Sequence, residues 1–474
     1  MSSKFPSHLC FPEPLLSFSP ENSHATDTHP LKGLINHGPY SSGFALGSIR
    51  VATIAPIGDA RKLYNFMKEL RTPFLPTERK DYLPGWPGFS KVFGSDMGGA
   101  GGRCHIELDS NFETELASAQ NPPMFLYERL LREIQLLCTR RDAFDVIFIY
   151  LPTRWQNAFY SIQDAGFDLH DKLKAQTAKM RVPIQLVREE RAIMYPNRAG
   201  VMWHIGLALY AKAGGIPWKL VSTNQEHAYI GISYALKRVD KETKFVTCCS
   251  QIFDADGSGL EFIAYDTREV GDIHRGNPFL TRNEMFRVMS RSMGLYQQRH
   301  AGKIPRHITV HKTTEFKKEE IEGCMEAFHR CESVNLIQVV QDVGWRGTRI
   351  DQGQQRNALG DAAWFPVQRG SLIGLGQRDC LLWVHGDVRG VGKQNSYFQG
   401  ARSTPQPLKL IRFAGHGPWH DTARGILALS KMNWNNDALY DQLPVTVSYA
   451  KVLSRVVKNM GNLGTDPYQY RFFM

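Results

Sequence analysis

Apolar positions in the first half of the chain fall either in short continuous runs or in stripes spaced three and four apart. Ser48 to Ile57 is a β-rich run closed by Pro-Ile-Gly, and Leu63, Phe66, Met67 and Leu70 then mark one face of a helix over Asp59 to Leu70. Leu126, Leu130, Ile134 and Leu137 stripe a second helix over Pro122 to Arg141, which leads into the apolar strand Asp145 to Leu151. A short helix over Leu169 to Met180, a strand Ile184 to Val187 and a helix Val201 to Ala213, stopped by Gly214, Gly215 and Pro217, complete a β/α alternation. This half reads as a doubly wound α/β domain.

The second half opens on three successive strands, Ala228 to Leu236, Lys244 to Phe253 and Leu260 to Tyr265. A helix from the capping box Thr281-x-x-Glu284 to Tyr296, a strand Arg306 to Lys312, a helix near Lys317 to Arg330 and a strand Asn335 to Val340 follow. Strands Cys380 to His385 and Leu408 to Phe413 precede helices at Pro418 to Leu429 and Thr446 to Asn459. Three meandering strands, then helix and strand in alternation, is the order of a ribonuclease-H-like fold. The expected division is an N-terminal extension over 1–45, a Rossmann-like domain over 46–220 and a second domain over 221–474, the boundary lying between Gly215 and His227.

Hydrophobic residues at 42% and charged residues at 22% of 474 are ordinary globular usage and exclude a disordered or fibrous chain. A net charge of +11 with pI ≈ 9.2 favours a polyanionic partner. The best apolar runs, Val146 to Leu151 and Cys380 to Val384, are strand-sized, so no membrane span is expected. With no secretory signal pattern, the expected location is the cytoplasm. Cys10, Cys104, Cys138, Cys248, Cys249, Cys324, Cys331 and Cys380 include no C-x-x-C pair and read as small buried hydrophobes.

Seven segments in order resemble the MID and PIWI domains of Argonautes: Pro87 to Phe93, Leu169 to Lys174, Ile184-Gln185, Tyr210 to Leu220, Tyr229 to Ser233, Ile308 to Thr313 and Leu443 to Ala450. The length resembles the short prokaryotic members, without room for the N-terminal and PAZ domains. The resemblance implies a guide strand held by its 5′-phosphate. The matching positions are His170, Lys174 four residues on, Gln185 eleven further, and Lys212 before Gly-Gly. The chemistry suits the role: His170 and Lys174 lie one helical turn apart, and an imidazole N–H, an ammonium and an amide can converge on one dianion. The family often has a second basic residue one turn before the last Lys, where this chain has Ala208. The resemblance also implies Mg²⁺ between the phosphate, Gln185 and the C-terminal carboxylate of Met474, in a tail whose Phe472 and Phe473 would be costly to expose.

Active PIWI domains cleave with carboxylates that bind two metal ions. Here the corresponding positions hold Ser233, Thr313 and Lys451, so no cleavage is expected. The resemblance then implies binding as the output: a guide, RNA, pairs with single-stranded target DNA. A second, APAZ-containing polypeptide of sirtuin or TIR type would supply the effector activity in prokaryotic immunity. The alternatives are an active ribonuclease-H-like endonuclease using other carboxylates, and a structural subunit with an empty MID pocket.

Other features read as ordinary. Asp254-Ala-Asp-Gly-Ser-Gly begins like a calcium loop but carries Tyr265 at its twelfth position, so it reads as a hairpin turn. His416, His420 and Asp421 fall at a helix start and read as capping residues. Gly98 to Arg103 is Gly-rich but follows no clear strand and reads as a loop rather than a dinucleotide fingerprint. From Ala401 onward nine Lys or Arg face four Asp or Glu, and Arg346, Arg349, Lys393, Arg402 and Lys409 are loop candidates for backbone contacts to a guide–target duplex.

Overall fold

The computed structural model describes residues 8–41, 47–161, 166–222, 225–239, 242–259, 261–267, 270–274, 277–352, 359–362, 366–391, 396–397, 404–461, 463 and 466–474. Its first sheet is built from β1 (Ser48–Pro56), β2 (Asp96–Gly99), β3 (His105–Leu108), β4 (Val146–Leu151) and β5 (Ile184–Arg188), with helices α1 (Ala60–Glu69), α2 (Pro122–Cys138), α3 (Leu169–Lys179) and α4 (Arg198–Lys212). All pairings are parallel, β5 to β4 to β1, and β2 and β3 lie end to end along the far edge of β1. Gly98 and Gly99 therefore belong to a strand, not to the loop expected from their composition. A four-residue strand of small residues carries no periodicity that would have revealed it.

All six residues of β4 are buried, and they alternate between two cores. Val146, Phe148 and Tyr150 face the larger cluster, while Ile147, Ile149 and Leu151 face a second one with Leu126, Leu130 and Ile134 of α2. A continuous apolar run is what a strand covered on both faces requires.

The second sheet has ten strands. Its centre is β6 (His227–Val239), β7 (Glu242–Asp254), β8 (Glu261–Asp266), β9 (His307–Lys312) and β10 (Ser333–Val340), with α5 (Arg282–Arg299) and α6 (Lys318–Ala327) between them. β11 (Ser371–Gly374), β12 (Asp379–Leu382) and β13 (Leu408–Ala414) follow, then α7 (Trp419–Leu429), α8 (Val445–Val457) and β14 (Tyr468–Gln469). The order is β11-β12-β13-β10-β9-β6-β7-β8-β14, with the short strand His8–Cys10 beside β11. β6, β9 and β10 run parallel and β7 runs antiparallel to β6 and β8, which is the ribonuclease-H arrangement. The chain thus joins a Rossmann-like sheet to a ribonuclease-H-like one.

One face of the central sheet buries Ile230, Ile308, Val310 and Leu336 under Met285 and Val288 of α5. The other packs Ile337, Val339 and Leu410 against Ala423 and Ile426 of α7. Gly231 lets α8 approach: a Cβ there would lie 2.0 Å from the Thr446 carbonyl oxygen. The cluster that begins on the first sheet continues into Tyr449, Leu453 and Val456 of α8 and into Phe472, Phe473 and Met474, so the halves share a core. Residues of the N-terminal extension also bind both: Leu16–Ser17 pairs with Lys219–Leu220, and Glu13 joins the buried cations Arg369 and Lys431.

Smaller readings divide. The Asp254 segment is a turn, with Ser258 bonded to Asp256 and Lys219 paired to Asp256 at 2.8 Å. At the start of α7 the cap is Pro418 with no side-chain capping bond, and His420 instead pairs with Asp421 at 2.8 Å, so the capping reading is corrected; Pro fixes an extended entry there. Cys104, Cys324 and Cys380 are buried, Cys138 and Cys331 are half-buried, and Cys10 is exposed on its edge strand, against expectation. The side chains of Cys248 and Cys249 lie outside those described.

Candidate nucleic-acid interface

Asp168 starts α3 by accepting from the Asp171 amide at 3.2 Å, and burial of Leu169 and Leu173 fixes the helix on the first sheet. That orientation carries Lys174 inward, where it is 1% exposed and its Nζ donates to the Ile184 carbonyl at 2.7 Å. On the next strand, Gln185 Nε2 donates to the Leu186 carbonyl at 3.1 Å, and its Oε1 accepts from Lys212 Nζ at the end of α4. Among the described residues, neither Lys174 nor Lys212 has a carboxylate in an ion pair.

Two buried ammonium groups without counter-ions are electrostatically unfavourable, and their proton affinities show it. Burial, reinforced by the nearby Lys212 charge, holds Lys174 well below the ordinary lysine range. Burial alone lowers Lys212 to about 7. His170 is also pushed down by burial, partly offset by its contact with Asp171. Its Nδ1 lies 3.0 Å from Asp171 Oδ1, and Asp171 accepts from Arg455 Nε of α8 at 2.7 Å.

His170, Lys174, Gln185 and Lys212 line one cavity of about 880 Å³, and Met474 lines it too. The tail is docked rather than frayed. Tyr468 and Gln469 pair with Phe262 and Glu261, Tyr470 stacks on Tyr449 at 3.6 Å, and Phe473 meets the Phe262 ring edge-on at 4.7 Å.

The cavity also contains residues that the sequence reading passed over: His204, Arg455, and Arg188 with its guanidinium 3.3 Å from the Tyr160 hydroxyl. His204 shares one stripe of α4 with Ala208 and Lys212, one turn before Ala208. Arg455 sits one turn beyond Lys451 on α8.

Asp168, His170 and Asp171 place ligand atoms within 4.8 Å of one another, but Asp168 caps α3 and Asp171 is held by Arg455. Gln185 Oε1 keeps a second lone pair, and Met474 lines the same cavity; the amide oxygen is a hard donor of the kind Mg²⁺ takes beside a phosphate.

No family model matches the chain. A 169-residue stretch, 35% of the chain, is 27% identical to Protein argonaute of Thermus thermophilus and spans 20% of that protein. In fold, the chain is similar to Clostridium butyricum Argonaute bound to a guide DNA and a 19-mer target DNA, with TM-score 0.64 and 14% identity over 97% of this chain and 54% of that one. It is also similar to Aquifex aeolicus Argonaute with externally bound siRNA, with TM-score 0.62 and 16% identity over 99% of this chain and 56% of that one. By sequence over that stretch and by fold over nearly its whole length, the chain is similar to Argonautes. It spans about half the length of the solved Argonautes it matches.

Ser233 and Thr313 each lie one residue past the last aligned pair of β6 and β9, Ile232 with Lys312. Thr313 is exposed and its carbonyl accepts from Gln338 Nε2 at 3.1 Å; Lys451 is exposed on α8 and its Nζ donates to Gln341 Oε1 at 2.8 Å. Immediately inside this rim, the buried Lys312 ammonium contacts both carboxylate oxygens of Glu320 at 2.7 Å. Of the loop candidates, Arg346 is exposed and Arg349 pairs with Asp387 at 3.1 Å. Lys409 lies in β13, not in a loop, paired with Asp379 at 3.0 Å; Lys393 and Arg402 lie outside the described residues. Among the described residues no helix is long and apolar enough to cross a membrane.

Proposed function

We propose that this chain binds the phosphorylated 5′ end of a guide strand, RNA by its resemblance to the short Argonautes, in the cavity between α3, β5, α4 and the C-terminal tail. The guide pairs with single-stranded target DNA across the second sheet. The observation that carries this reading is the pair of buried, counter-ion-free ammonium groups of Lys174 and Lys212 in one cavity with His170, Gln185 and Met474. A dianionic phosphate supplies the missing negative charge, and the lysines meet it with charge-assisted hydrogen bonds. A bound Mg²⁺ would add positive charge beside the phosphate, with Gln185 Oε1 and the Met474 carboxylate as its protein ligands.

The chain does not cut what it holds. A two-metal centre needs carboxylates, and at Ser233, Thr313 and Lys451 the chain offers two hydroxyls and an ammonium. Its output is binding, and the resemblance assigns the response, cytoplasmic prokaryotic immunity, to an APAZ-containing sirtuin-type or TIR-type partner. Nucleic acid recovered from the purified chain tests the reading: an enriched population of strands with 5′-phosphates is expected, whereas no nucleic acid, or strands with unselected ends, contradicts it.

A further inference from the structure

Lys451 has surroundings that a surface lysine does not need. Gln338 and Gln341 stand in and just past β10, and their side chains bond the Thr313 carbonyl and the Lys451 ammonium. Lys451 is therefore held over the C-terminal ends of the parallel strands, the end of an α/β sheet where ligands bind. Its partner is a neutral amide, and among the described residues it forms no ion pair. Asp342 favours the charged form, while partial burial lowers the proton affinity. One turn along the same exposed face of α8, Arg455 lines the guide-end cavity, so the helix presents cations at both places.

We propose that Lys451 binds a backbone phosphate of the strand lying across Ser233 and Thr313, as a fixed ammonium where a cleaving centre would place metal ions. This rests on the reading of the chain as a guide-and-target binder. An ammonium offers one positive charge and three donors. It neutralises the phosphate but generates no metal-bound hydroxide, so it retains the strand intact. Gln341 acts as the positioning residue that aims it.

The test measures binding of target DNA to the guide-loaded chain as a function of NaCl. Lys451→Met should make log K less steep in log salt by about 0.7 to 0.9, the loss of one phosphate contact, while Lys451→Arg keeps the wild-type slope. Targets carrying a single methylphosphonate at successive positions should include one position that weakens the wild type and not Lys451→Met. Identical slopes and methylphosphonate profiles in wild type and Lys451→Met overturn the proposal. The preference for 5′-phosphate over 5′-hydroxyl guides, measured on the same preparations, separates the readings: its absence in the wild type sinks guide-end binding, whereas its presence with unchanged slopes sinks only the role of Lys451. Melting curves establish that each variant is folded.

Discussion

Lys212 Nζ donates to Gln185 Oε1, which ties the end of α4 to the start of β5 in the cavity. This ammonium has an amide rather than a carboxylate for company, and burial lowers its pKa to about 7. In the unfolded chain an exposed lysine holds its proton to about 10.4. Between those pH values the unfolded state binds more protons, so the ligand-free chain gains stability as pH rises above 7, and the unfavourable buried charge is fully present below it. Thermal unfolding of guide-free protein from pH 6.5 to 9.5 should show this rise, and Lys212→Met should flatten it.

Guide binding has the opposite dependence. A phosphate favours the charged lysine, so binding takes up a proton above pH 7, and affinity for a 5′-phosphorylated strand should fall towards pH 9 by about tenfold per pH unit for each lysine that takes up a proton. It should fall again below about pH 6 as the phosphate itself protonates. Anisotropy titrations with phosphorylated and hydroxyl-ended strands would check this; a phosphate preference that stays flat from pH 6.5 to 9 contradicts it.

Lys174 is the more deeply enclosed cation. Lys174→Met removes a buried amine whose charged form burial disfavours, but it also leaves the Ile184 carbonyl without this donor, so stability should change little. The phosphate preference should drop by roughly 10- to 100-fold, the worth of about 1.5–3 kcal/mol for a hydrogen bond to a charged group. Lys174→Glu, which faces the phosphate with a like charge, should abolish it. Melting and competition binding on the same variants separate the two effects; an unchanged preference means another residue holds the end.

The tail closes both the core and the cavity. Phe473 is 1% exposed, and Phe473→Ala should cost about 3–5 kcal/mol. Removing Phe472 to Met474 should lower both the melting temperature and guide affinity, because the same residues fill the shared core and Met474 lines the pocket. Equal melting of the shortened and intact chains would contradict this.

Much of this arrangement was legible in the chain. The run Val146–Leu151 announces a strand buried on both faces, and the stripe on α2 supplies one of its covers. The i, i+4 relation of His170 and Lys174 is local, so it could be read directly. Contacts between distant segments could not be. Nothing in Arg455 tells that it reaches Asp171 across the two halves, and nothing in Ala208 tells that His204 faces the same cavity. Short strands such as Asp96–Gly99 have no period to betray them, and exist because β1 offers an open edge. Lys409 is a different case: the strand Leu408 to Phe413 is readable from the sequence and already contains it, so its place among the loop candidates is inconsistent with that strand.

The absent carboxylates carry a direct consequence. With guide, complementary target and Mg²⁺ or Mn²⁺, no defined products should form, and Ser233→Asp alone should not create activity, since Thr313 and Lys451 still fail to bind metal. Denaturing gels of end-labelled target would show this, and a discrete product from the wild type would contradict it.

The most direct measurement compares two guides of one sequence, one ending in a 5′-phosphate and one in a 5′-hydroxyl, in equilibrium binding to the purified chain near pH 7. The account predicts tighter binding of the phosphorylated strand and a difference reduced by roughly 10- to 100-fold in Lys174→Met and in Lys212→Met. Equal affinities in the wild type, or a difference undiminished by both substitutions, would contradict it.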